Sequence, residues 1–263
     1  MGISFSMVAL AAPRFKGSFR AIQRTLAKHW PQLPPASDGK ADKGTFAFRL
    51  GEASVVLGYM PAPIPWTDLE GPCATSVLWP KATEELKNHA AHLIVTVSGN
   101  FAPLEMSGLL TQATAAVMET CDDALGVFWC DATIVVPKGI FNKFAVRVLP
   151  LGPPLDIWVD YRIAKTAEQR SAGFTKGLAA LGHMELEALS SPEPPHELRE
   201  RFAGLARYLL ENGPVIRDGD TIGEDAEERI RVAYADSSFG VEGEVMTLVY
   251  EKNSRAKPWR KLW

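Results

Sequence analysis

A chain of 263 residues with 46% hydrophobic and 9% aromatic content has the composition of a folded, core-forming protein and excludes a disordered one. Its net charge of −3 hides an asymmetry: residues 1–50 carry +6, residues 252–263 carry +5 and residues 51–251 carry −14. An acidic body between basic ends argues against nucleic-acid binding and suits a basic protein partner.

In chain order, Ser4–Ala11 predicts a strand and Gly17–His29 a helix, with Phe19, Ile22 and Leu26 at helical spacing. The Pro-, Gly- and Asp-rich stretch 31–44 predicts a mobile loop. Phe46–Leu50 and Ser54–Tyr59 predict a hairpin turning at Gly51-Glu52, then a proline-rich connection and a helix over Lys81–Ala90. His92–Val97 is a nearly continuous apolar run, the pattern of a central strand buried on both faces. Pro103 opens a helix with the stripe Leu109, Leu110, Ala113 and Val117, and Gly126–Cys130 with Thr133–Val136 predicts another hairpin. Leu155–Ile163 alternates as a strand does, and Pro194-Pro195 opens a helix lined by Leu198, Phe202, Leu205 and Leu209 that Gly213-Pro214 stops. Ile230–Ala235 and Val245–Tyr250 read as closing strands.

The expected fold class is α+β. Two ferredoxin-like sub-domains of β-α-β-β-α-β order, with antiparallel or mixed sheets, would span residues 1–99 and 100–251, and 252–263 would form a basic tail. The first residues lack the basic leader of a secretory signal, and no segment offers the ~20 apolar residues of a membrane span, so the expectation is a cytoplasmic protein with no membrane partner.

Catalytic motifs are absent: GxxxxGK[ST], HExxH, GxSxG and a strand-linked GxGxxG do not occur. Cys73, Cys121 and Cys130 are odd in number and without CxxC spacing, which argues against a disulfide or zinc framework, and Cys121, ending a helical pattern, and Cys130, in an apolar strand, read as core residues. His89 and His92 stand three apart, but no third metal ligand lies near them in sequence. Asp218-Gly-Asp-Thr-Ile-Gly begins like a calcium loop and fails at the fifth and twelfth places, Ile222 and Arg229, so a tight turn at Asp218 and Asp220 followed by a helix start at Glu224 and Asp225 is expected instead. No cofactor and no metal is expected.

What remains are candidate partner-binding residues. Pro61, Pro63, Pro65 and Pro72 stiffen a connection that would hold Trp66, Asp68 and Glu70 in fixed orientation, although Trp66 can equally cap the core beneath it. Glu185 and Glu187, two apart in a predicted strand, share one face, read as solvated or as an acidic docking face. Asp218 and Asp220 complete the set. The same acids are the candidates for the alternative, a carboxylate-dependent enzyme acting on a small molecule, which needs two acids of separated pKa in a cleft.

The phrases Met60-Pro-Ala-Pro-Ile-Pro-Trp-Thr-Asp-Leu-Glu-Gly-Pro-Cys-Ala-Thr-Ser76, His92-Leu-Ile-Val-Thr-Val97 and Leu209-Leu-Glu-Asn-Gly-Pro-Val-Ile-Arg-Asp-Gly-Asp-Thr-Ile-Gly223 resemble the bacterial family called domain of unknown function 4261. Gly173-Phe-Thr-Lys-Gly-Leu and Met184-Glu-Leu-Glu fit it too, so the likeness runs from the first strand to the last. Within the family it points to immunity proteins that guard a bacterium against its own type VI secretion nuclease effector. That resemblance implies a non-catalytic protein that neutralises a toxic effector by stoichiometric binding, and it supplies no catalytic residues.

The failed calcium loop generates a first prediction. A thermal-shift series with calcium, magnesium, manganese and zinc at micromolar concentration should leave the melting temperature unmoved. A large upward shift with any one ion would overturn the metal-free reading.

Overall fold

The computed structural model describes residues 2–15, 17–42, 44–223 and 228–250. The expected basic tail and the helix start at Glu224 and Asp225 lie outside them. The chain divides into two compact units at Trp158/Val159. The boundary expected at 99/100 falls inside the first unit, because the strands after residue 100 extend its sheet.

The first unit opens with β1 (Gly2–Leu10), then α1 (Phe19–His29), whose Ser18 side chain accepts from the Ala21 N–H. Next come β2 (Ala36–Asp42), β3 (Thr45–Leu50) and β4 (Ala53–Met60). The β2 strand replaces the expected mobile loop. It pairs with β3 across a bulge where Asp38 takes φ 56°, and Gly39 leaves room for the Phe19 ring against the backbone. Turn-forming residues hid a strand because an edge strand is hydrogen-bonded on one side only.

The chain continues through α2 (Trp66–Thr75), α3 (Ala82–Leu86), β5 (Ala91–Gly99), α4 (Pro103–Glu119), β6 (Ala124–Trp129) and β7 (Ile134–Pro137). It closes with α5 (Lys138–Lys143), a π-helical turn over Phe144–Val148, and α6 (Leu155–Trp158). The sheet order is β2-β3-β4-β5-β1-β6-β7, with every neighbouring pair antiparallel. Three strands separate α1 from α2, and β5 inserts between β4 and β1, so the order is not the expected β-α-β-β-α-β. The apolar run of β5 accounts for its place: Leu93, Val95 and Val97 are fully buried at the sheet's centre. One face carries α4, buried almost all round, with Ser6 and Thr114 hydroxyls 2.8 Å apart. On the other face Ala9, Phe128 and Val135 pack with Ile64, Leu69, Cys73 and Trp79 from the α2–α3 region.

The second unit comprises β8 (Asp160–Lys165), β9 (Ser171–Lys176), β10 (Leu186–Ser191), α7 (Pro195–Asn212), β11 (Thr221–Ile222), β12 (Ile230–Asp236) and β13 (Glu244–Tyr250). Its sheet runs β11-β12-β13-β10-β9-β8, mixed because β10 and β13 are parallel. Both units are thus of mixed α and β structure, but the second does not repeat the element order of the first. The alternating segment expected over 155–163 forms a strand only from Asp160; its first half is α6, so Ile157, Trp158 and Val159 are all buried in succession.

The helix α7 buries Leu198, Phe202, Leu205 and Leu209 as expected, and Gly213 caps it at φ 80°. It also buries Arg201, 1% exposed, on the same stripe. The guanidinium meets Glu193 Oε1 at 2.6 Å through Nε and Glu228 Oε1 at 2.7 Å through Nη2. Burial works against the charge on Arg201, but Glu193, Tyr250 and Glu228 outweigh it and the pKa is raised. The Tyr250 hydroxyl donates to Glu193 Oε2 at 2.6 Å, and burial beside that carboxylate raises the phenol's pKa.

Breaking a buried ion pair by removing one partner leaves the other charge desolvated. Arg201→Met should therefore cost about 3–5 kcal/mol in urea unfolding, far more than a surface charge deletion. A loss below about 1 kcal/mol would mean the pair is solvated and peripheral.

Candidate functional site

The seven residues singled out from sequence separate into three settings. Trp66, Asp68 and Glu70 lie on α2, not in an irregular loop. With helical residues about 100° apart, Leu69, Pro72 and Cys73 form its buried stripe. Asp68 and Glu70 leave on opposite flanks of that stripe and are exposed, while Trp66 is half-buried against the core cluster. Trp66 therefore supports its own fold. Asp68 lies close enough to Cys130 to help raise its thiol, pushed up to about 12 mainly by burial and by Asp131. Burial alone takes Cys73 to about 11. All three cysteines are unpaired, with Cys73 and Cys121 buried.

The segment before α2 is locked by the two histidines. The Ile64 N–H donates to His89 Nε2 at 2.7 Å, while His89 Nδ1 donates to Leu86 O at 2.7 Å. His92 Nδ1 donates to Ala62 O at 2.8 Å. Both rings thus tie the proline segment to the end of α3 and the start of β5. This arrangement requires neutral His89, and burial lowers its pKa, with the Leu86 carbonyl opposing and His92 adding to the effect. Among the described residues no group of three or more His, Cys, Asp or Glu is placed to hold a metal ion.

Glu185 and Glu187 are not on a solvated face: they are 4% and 1% exposed. Glu185 accepts from Thr175 Oγ1 at 2.8 Å and from the N–H groups of Gly177 and Ala179 at 2.7 and 3.0 Å. Glu187 accepts from Ser237 Oγ at 2.7 Å and from the Ser238 N–H at 3.1 Å. Each buried carboxylate is satisfied inside the second unit and presents no free oxygen to a partner. Their donors come from β9, the segment just after it and the β12–β13 hairpin, partners that strand alternation alone does not reveal.

Asp218 and Asp220 are exposed and make the expected tight turn, with Gly219 at φ 85°. Asp220 Oδ2 accepts from the Arg217 N–H at 2.7 Å, and Asp218 Oδ1 accepts from the Tyr234 N–H at 2.9 Å on β12. The Tyr234 hydroxyl donates to the Ile216 carbonyl. Its pKa is raised by burial and then by Asp220, Asp218 and Glu244, so these three carboxylates crowd one place.

Sequence reasoning missed Phe239. Held in the β12–β13 hairpin, it is 41% exposed and stacks on Phe174 with ring centroids 5.1 Å apart. Ser237 Oγ accepts from the Phe239 N–H at 3.1 Å while donating to Glu187, so the buried glutamate fixes the turn that presents the ring. Arg162, paired with Asp160 at 2.6 Å, lies 5.9 Å from the Phe174 centroid. A phenylalanine in the polar run Asp236-Ser-Ser-Phe-Gly240 was the available signal. Separately, an open groove of about 380 Å³ between α1 and the β2–β3 turn is lined by Phe15, Phe19, Phe46 and Tyr59, and none of the sequence candidates borders it.

No helix among the described residues is long and apolar enough to cross a membrane. The candidate residues are thus exposed acids on α2 in the first unit and, in the second, exposed acids, the Phe174–Phe239 stack and buried carboxylates that hold turns in place. Residues 174–249 match the family model described as a domain of unknown function, DUF4261. The match runs from Phe174 to Val249, within the second unit, whereas the phrases at Met60–Ser76 and His92–Val97 fall outside it. No curated protein and no solved structure matches the chain.

The neutral His89 makes a pH-dependent prediction. Its folded pKa lies below the unfolded value of about 6.5, so stability is full above that pH and falls as acid protonates the unfolded chain first. His89→Ala should cost about 1–3 kcal/mol near neutral pH by leaving the buried Ile64 N–H without an acceptor. In thermal melts the gap between wild type and variant should narrow as pH drops towards about 5. A gap that stays constant with pH would show that His89 is not held neutral.

Proposed function

We propose that the protein is an immunity protein of a bacterial type VI secretion system, resembling TsiT, that binds and silences a nuclease effector in the cytoplasm without turnover. The observation that carries this reading is the locked corner at α2. Four prolines and two buried histidine contacts fix a short helix from which exposed Asp68 and Glu70 project. A surface already ordered before binding loses little conformational entropy on association. Its acidity complements the basic surfaces that nucleases turn towards nucleic acid, which favours rapid encounter over raw affinity. The alternative, a carboxylate-dependent enzyme, draws less support, since Glu185 and Glu187 are occupied by donors within the fold and the remaining candidates are exposed.

Mixing the purified chain with the effector encoded beside it should give a stable stoichiometric complex and suppress nuclease activity at equimolar concentration. Reversing both exposed acids, Asp68→Lys with Glu70→Lys, should slow association roughly tenfold and flatten its salt dependence without lowering the melting temperature. Absence of a complex, with turnover of a small molecule by the purified chain, would establish the enzymatic alternative.

A further inference from the structure

We infer that the β12–β13 hairpin of the second unit is the anchor of a docking surface for a basic protein, with Phe239 inserted into an apolar recess of that partner. The inference rests on the proposed effector-binding role and says where the affinity of that binding resides. Three observations converge. First, Phe239 is the exposed half of a stacked aromatic pair, rigid because Phe174 backs it at 5.1 Å. Second, the ring is aimed by a buried group: Glu187 draws Ser237 Oγ and the Ser238 N–H inward, and Ser237 in turn receives the Phe239 N–H. A fixed aromatic loses little freedom on binding, which is the character of an interface hot spot.

Third, the surroundings are acidic. Asp236, Glu242 and Glu244 are exposed in the same hairpin, and no Lys or Arg occurs between Arg231 and Lys252. Asp218 and Asp220 extend the same negative surface, their turn hydrogen-bonded to β12 and their charges felt at Tyr234 together with that of Glu244. An apolar ring on a hairpin whose exposed charges are carboxylates, with Arg162 near Phe174 held by Asp160, matches a partner whose recess is bordered by lysine or arginine. An acidic partner, or a nucleic acid, is disfavoured by like charge.

Surface kinetics with the neighbouring effector as the immobilised probe test the surface. Phe239→Ala should weaken binding roughly 30-fold, nearly all of it through faster dissociation. Phe239→Trp, which keeps a flat ring on Phe174, should retain most of the affinity. Reversing Asp236, Glu242 and Glu244 to lysine should slow association roughly tenfold and leave dissociation nearly unchanged. All of these side chains are exposed, and an unchanged melting temperature confirms that each variant is folded. Binding by Phe239→Ala and by the charge-reversed chain within twofold of wild type overturns this docking surface while leaving the effector-binding role standing. Absence of binding by the wild-type chain overturns both.

Discussion

A carboxylate taken out of water must be given hydrogen-bond donors or a cation, and the second unit is organised around three that were. Glu185 immediately precedes β10, Glu187 lies in it and Glu193 follows it, and each is less than 5% exposed. Each draws its donors from a different part of the chain. Glu185 gathers Thr175, Gly177 and Ala179, closing the end of β9 against β10. Glu187 gathers Ser237 and Ser238, fixing the tip of the β12–β13 hairpin. Glu193 gathers Arg201 and Tyr250, tying α7 to the last strand. Loss of any one set would leave a buried charge unsatisfied, so these bonds specify the arrangement more sharply than apolar contact could.

The first unit reaches rigidity by other means. Its surface corner at α2 is fixed by neutral groups, prolines that restrict the backbone and imidazoles that use both ring nitrogens or one against main-chain atoms. Beneath it, the central strand β5 alternates full burial with partial cover and packs on α4, while Ala9, Phe128 and Val135 of β1, β6 and β7 seat the α2–α3 region. Charge is thereby kept for the outside of this unit, where Asp68 and Glu70 remain exposed.

Much of this was legible from local pattern. The hairpin of β3 and β4, the apolar run of β5, and the stripe and glycine cap of α7 all follow from side-chain periodicity, which is a property of consecutive residues. The failures share one cause. At 155–163 the apolar residues are spaced two apart, but a short helix followed by a strand buries Ile157, Trp158 and Val159 in succession, and only tertiary packing decides between the two. The Glu185–Glu187 pair looks like a solvated face because polar residues two apart do so in most strands. Its burial depends on donors six to fifty-one residues away. Arg201 could have been suspected, since it falls three residues after Leu198 on the apolar stripe, yet its partner Glu228 is 27 residues distant. Phe239 is legible only as an oddity in a polar turn.

The same geometry changes how the acidity of the chain bears on recognition. The −14 carried by residues 51–251 is a sum over all carboxylates, whatever their position. Buried Glu185, Glu187 and Glu193 still add to the potential felt at a distance and so, in the proposed reading, to the steering of a basic partner. They cannot pair with its lysines at contact, because their oxygens are already bonded. In the proposed reading contact is left to exposed acids, those on the flanks of α2 in the first unit and, separately, those of the β12–β13 hairpin in the second. Steering and contact thus fall to different residues. Glu187 has a second part in the proposed recognition that no charge count reveals, since it acts through the turn it holds: it costs the surface no exposed charge and gives it an oriented ring. The proposed recognition thus rests on a carboxylate that the partner would never touch.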